Sequence, residues 1–74
     1  MGISYNKLWK LLIDKNLKRY EFAKDVGIST PTLAKLGKNE FVSMEIIVRI
    51  CKYFKCQISD IVEIDLEKQQ RKLE

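Results

Sequence analysis

Pro31 is the only proline in the 74-residue chain, and it follows Gly27 by four positions with Ser29 between them. Glycine takes up the left-handed backbone that closes a helix at little steric cost. Serine opens helices, because its hydroxyl accepts a free N–H of the first turn. Proline is at home in that first turn, where its missing N–H would have no partner anyway. The order Gly-Ile-Ser-Thr-Pro therefore prescribes a stop, a turn of about two residues and an immediate restart. A chain that needed only a core could run one longer helix through this stretch. Here the break sets a short helix at an angle to its neighbour, and the remaining architecture has to accommodate that.

The flanking periodicity fills in the rest. Tyr5, Leu8, Leu11 and Leu12 recur at helical spacing, with Trp9 at their margin, and predict an amphipathic helix from about Ser4 to Lys15. Ser4 is its candidate N-cap and Asn16 its left-handed stop, after which Leu17 returns to the core. A second helix is expected over Arg19–Val26, with Phe22, Ala23 and Val26 inward and Ala23 small enough for a close helix crossing. The third helix should run from Thr30 to Lys38. Leu33 and Leu36 mark its buried side, which leaves Pro31, Lys35 and Lys38, with Ala34 beside them, on the opposite face. That outer stripe is small or basic and contains no acid.

Asn39 to Val42 reads as a loop with one or two apolar anchors. Ser43 should cap a fourth helix through Lys55, whose apolar face comprises Met44, Ile47, Val48, Ile50, Cys51 and Phe54. Ser59 and Asp60 open a short fifth helix or turn carrying Ile58, Ile61 and Val62. For residues 61–66 helix and extended strand remain equally open, because the apolar positions partly alternate. The expected fold is all-α: a compact bundle of about five short helices in one domain, residues 1–66, followed by a polar tail, 67–74.

Composition narrows the function. With 46% hydrophobic and 32% charged residues the chain is globular, and its apolar runs are too short to span a membrane. No signal-peptide pattern is present, so a cytoplasmic location is expected. The chain has no histidine. Cys51 and Cys56 thus lack the companions a zinc site needs and read as core thiols, and no metal or cofactor is expected. No nucleophile–base pair, phosphate loop or carboxylate dyad is apparent, and the core is too small for an ordinary substrate cavity. An enzyme with a small-molecule substrate is therefore not expected. The net charge is +4, and its whole excess lies in residues 1–40, with eight Lys/Arg against four Asp/Glu, whereas residues 41–74 hold six of each. The basic half is the half that contains the broken helix pair.

The stretch LKRYEFAKDVGISTPTLAKL resembles the helix-turn-helix core of the Cro/phage-repressor type of bacterial and phage regulators. IVRICKYFKCQISDIVEI is similar to the closing helices of the small stand-alone members of that family. The likeness spans about residues 5–64. It implies a lambda-repressor-like DNA-binding domain: a sequence-specific regulator of transcription, expected to be a repressor, that inserts helix 30–38 in the major groove of double-stranded DNA. On a palindromic site it would act as a homodimer. The segment Ile61–Leu66, Trp9 or Phe41 could supply the dimer surface.

The resemblance also assigns roles by position. Its base-reading positions fall on Thr30, Pro31 and Lys35. Its phosphate positions fall on Lys18, Arg19, Ser29, Thr32, Lys38 and Asn39. Three departures matter. Arg19 stands where the family usually has Gln. Lys18 replaces the usual Ser or Thr cap, at a cost of about 1 kcal/mol to the helix start. Pro31 cannot donate to a base edge and could only touch an apolar group such as a thymine methyl. Direct readout would then rest on Lys35, reaching guanine O6 and N7, and on Thr30, with DNA shape supplementing it. The alternative is a protein-interaction module, an antitoxin or co-regulator on the same scaffold, docking through its acidic end. Asp60, Glu63, Asp65 and Glu67 lie within residues 57–67, which contain no base.

Overall fold

In the computed structural model, which describes residues 2–64, Ser4 belongs to a strand and not to a helix cap. The order is β1 (Ile3–Ser4), α1 (Asn6–Asp14), α2 (Arg19–Val26), α3 (Thr30–Gly37), α4 (Met44–Phe54), a 3-10 turn (Ile58–Asp60) and β2 (Glu63–Ile64). β1 and β2 pair antiparallel, with Ile3 opposite Ile64 and Ser4 opposite Glu63. This small sheet ties the two ends of the described chain together beneath a mainly helical bundle. It also decides residues 63–64 in favour of strand. Two residues beside a helix start are too short for a period-two pattern, so nothing local announced β1. Ser4 still serves α1, since its Oγ accepts the Asn6 N–H at 3.2 Å, but Tyr5 occupies the N-cap position. The polar tail, and Asp65 and Glu67 of the acidic end, lie outside the described residues. Of the remaining acids, Asp60 is used internally: its carboxylate accepts the Gln57 N–H at 2.9 Å and caps the 3-10 turn.

All four α-helices close by the same device. Among the described residues, those with positive φ are Asn16, Gly27, Asn39 and Lys55, one after each described α-helix. In each case the next N–H reaches back to the carbonyl five residues earlier: Leu17 to Leu12, Ile28 to Ala23, Glu40 to Lys35 and Cys56 to Cys51, at 2.8–3.0 Å. This left-handed closure satisfies carbonyls that a helix end otherwise leaves bare. Asn16 and Gly27 are legible in the sequence as stops. Asn39 and Lys55 are not, and Lys55 bears a side chain in a region that costs roughly 1 kcal/mol.

At Gly27 the backbone stands at φ +85°, and a Cβ there would meet Arg49 Nη1 at an ordinary 3.6 Å. Space is available, so the cost of a side chain is backbone strain alone. Gly27→Ala should lower the unfolding free energy by about 1–2 kcal/mol. A urea melt that places the variant within experimental error of the parent would remove glycine's special role in the turn.

The core consists of Tyr5, Leu8, Leu12, Phe22, Ala23, Ile28, Leu36, Ile47, Ile50 and Ile61, all buried. Every element from α1 to the 3-10 turn contributes or adjoins a member. Val42 is the apolar anchor of the 39–42 loop, packed against this core, whereas Phe41 is exposed. Met44 and Val48 also point to solvent, contrary to their expected place on the buried face of α4. The inward stripe is narrower and runs through Ile47, Ile50, Cys51 and Phe54 at three- and four-residue spacing, so Met44 and Val48 fall beside it. Cys51 and Cys56 are free and half-buried. Burial, first, and then the neighbouring Cys51 thiol push Cys56 above the usual thiol range, so it stays protonated at neutral pH.

Candidate nucleic-acid interface

Positioning of α3 begins with its caps. Ser29 is extended and its Oγ accepts the Thr32 N–H at 3.4 Å, with Pro31 in the first turn. The Ser29 hydroxyl also donates to the Thr32 hydroxyl at 3.0 Å. Ile28 and Leu36 anchor the helix in the core from either end, and Leu33 packs against it. The opposite side of the helix is bare: Thr30, Pro31, Ala34, Lys35 and Lys38 are exposed. Among the described residues neither Lys35 nor Lys38 is paired with an acid, since the ion pair found there joins Arg49 to Glu45. Thr32 is half-buried. The outer face of α3 thus offers two unspent ammonium groups at its C-terminal turn and a small, hydroxyl-bearing N-terminus at the other end.

The turn before α3 is held from α4. The Arg49 guanidinium donates to the Gly27 carbonyl at 3.2 Å and to Glu45 at 2.9 Å, placing a cation at the C-terminus of α2. Tyr53 donates to Asp25 at 2.9 Å and so ties α4 to α2 a second time. Neither contact has a local sequence signature, because each joins residues more than twenty positions apart.

Lys18 and Arg19 stand exposed at the start of α2. The missing Ser or Thr cap is offset in part by Glu21, whose carboxylate accepts the Lys18 N–H at 3.2 Å. A Glu three residues after the cap position is readable in the sequence. Arg19 pairs with no described acid; its guanidinium sits over the Trp9 ring, Cζ 3.9 Å from the centroid.

Asn39 has a structural duty that the resemblance did not assign. Its Oδ1 accepts the Tyr5 N–H at 3.0 Å, and the Tyr5 hydroxyl donates to the Glu40 carbonyl at 2.8 Å. The segment after α3 is thereby pinned to the start of α1. The Asn39 amide nitrogen retains its donors for another partner. Burial raises the Tyr5 phenol above its ordinary value, so this link stays protonated well past neutrality.

Of the nine residues to which the family resemblance assigns DNA contacts, eight are exposed and one, Thr32, is half-buried. They occupy three places: the start of α2, the outer face of α3 and the α3 C-terminus. No group of three or more described His, Cys, Asp or Glu side chains is arranged to hold a metal ion. No described helix is long and apolar enough to cross a membrane.

Residues 7–67 match the family model of the Cro/C1-type HTH DNA-binding domain. Among solved structures the chain is similar to the crystal structure of the transcriptional regulator VanUg, form II. The two share 53% identity and a TM-score of 0.81 over 84% of this chain and 83% of that one. No curated protein matches the chain.

Proposed function

We propose, from the premise that this chain belongs to the Cro/C1-type helix-turn-helix DNA-binding family, that it is a sequence-specific repressor whose α3 enters the DNA major groove. Lys35 and Thr30 read base edges, with Pro31 against an apolar base group. Lys18, Arg19, Ser29, Thr32, Lys38 and Asn39 position the backbone through phosphates. At the α3 N-terminus, where the helix dipole favours an anion, Pro31 has no N–H and the Thr32 N–H is taken by Ser29, so the Thr30 N–H and the Ser29 and Thr32 hydroxyl oxygens are the groups on offer. Repression follows from steric occupation of a site that overlaps a promoter. It needs no ligand domain, and no small-molecule substrate is involved.

The observation that carries this reading is the bare outer face of α3, where Lys35 and Lys38 are both exposed and have no described acidic partner. A solvated helix would gain from interspersed acids; a helix facing phosphates would not. A homodimer fits a palindromic operator with half-sites about 34 Å apart. Phe41 and Ile64, both exposed, are available to its interface, whereas the Trp9 ring is covered by Arg19.

Selection of bound sequences from random duplex DNA tests the reading, and the enriched pool should contain paired half-sites. With about four phosphate contacts per protomer, the slope of log affinity against log salt should be near −3.6 per protomer. A pool with no enrichment, or an affinity indifferent to salt, would overturn it.

A further inference from the structure

Arg19 is placed by three helices at once. It is the first residue of α2. Its guanidinium lies over Trp9 of α1, 3.9 Å from the ring centroid. It also reaches the last residue of α3: a Cβ on Gly37 would stand 3.4 Å from Nη1. Any side chain larger than methyl at position 37 would compete with the guanidinium for that space. A ring face attracts a cation through its quadrupole and uses none of its N–H groups. Among the described residues, no carboxylate pairs with them either, the ion pair there being Arg49 with Glu45. The planar cation thus rests on the Trp9 ring at an exposed junction with its donors free of described partners, where Lys18 precedes it in the chain and Lys38 follows Gly37.

Such an arrangement suits a tetrahedral anion with oxygens in a fork. Guanidinium donates two parallel bonds to a phosphate, and an arginine already fixed loses less freedom when it does so. A free arginine on the surface would have to be ordered by the ligand. We propose that Trp9 is a positioning residue for DNA binding, which holds Arg19 as a preset clamp for a backbone phosphate without touching DNA itself. This rests on the DNA-binding reading above and adds to it a residue outside the helix-turn-helix pair.

A double-mutant cycle on a selected duplex tests the proposal, with thermal melts run on every variant. Arg19→Ala should weaken binding and make the salt slope shallower by about 0.9. Trp9→Leu should weaken it by about threefold to tenfold, the ordering cost of one long side chain. In the Arg19→Ala background the same Trp9→Leu change should add less than about twofold, because the ring acts only through the guanidinium. Trp9→Tyr, which keeps a ring face, should bind within about twofold of the parent. Arg19→Lys leaves Trp9 untouched and keeps the charge but not the flat fork, and should bind about threefold or more weaker. If Trp9→Leu does not fold, the Arg19→Lys and Trp9→Tyr results decide the matter.

Equal losses from Trp9→Leu with and without Arg19 would overturn the clamp, as would parental affinity in Arg19→Lys. An inert Arg19→Ala beside a damaging Lys35→Glu would sink the clamp and leave the DNA reading standing. Failure of the parent protein to bind any duplex would sink both.

Discussion

Reversing both lysines of the outer α3 face, Lys35→Glu with Lys38→Glu, should weaken duplex binding by about 100-fold to 1,000-fold, or roughly 3–4 kcal/mol. Both ammonium groups are exposed and free of described acids, so each is available to DNA in full. Each reversal removes an attraction and sets a carboxylate against the phosphates, which is why the effect exceeds that of alanine. Because neither side chain holds the core, the fold should survive. Lys38 is the C-cap of α3, and a carboxylate there opposes the helix dipole by about 0.3–1 kcal/mol. Titration of a fluorescent duplex together with a thermal melt separates binding from folding. A variant that melts like the parent and still binds within about threefold would show that DNA does not meet this face.

Phe22→Ala should lower stability by about 3–5 kcal/mol. Phe22 is fully buried, stacked on Phe54 with centroids 5.7 Å apart and edge-on to Tyr53 at 6.1 Å. It is the centre of an aromatic triad that joins α2 to α4, the same pair of helices linked by Arg49–Gly27 and Tyr53–Asp25. Truncation would leave a cavity that the rigid turn after α2 cannot close. A domain of this size is stable by only about 4–11 kcal/mol, so much of that margin would go. Phe22→Leu, nearer in volume, should cost less than half as much. Urea denaturation followed by circular dichroism measures both, and a loss under about 1 kcal/mol for Phe22→Ala would mean that the triad does not hold α2 on α4.

The helix-turn-helix itself was legible because its determinants are local. Gly27, Ser29 and Pro31 each act through their own backbone or a neighbour within a turn, and α2 begins and ends where its pattern predicts. The outer stripe of α3 follows from helical geometry once Leu33 and Leu36 are taken as inward. Glu21 was legible in principle as a cap partner, since it lies three residues after Lys18. Met44 and Val48 were misplaced for a different reason. Apolar residues at a helix margin satisfy the period equally well whether or not a neighbour covers them, and here none of the described elements does.

Local chemistry along the chain thus determined where α2 starts and stops, where α3 and α4 start, the main inward residues of each helix, and that a basic face would remain. Only the tertiary structure decided what those side chains touch across long separations. The pairing of Ile3 with Ile64, Asn39 on the Tyr5 N–H, Arg49 on the Gly27 carbonyl and Arg19 on Trp9 belong to this second class. Hydrophobic spacing specifies that a face is buried but not against which partner, because burial is non-directional. Directional contacts arise only after packing has brought their groups within reach.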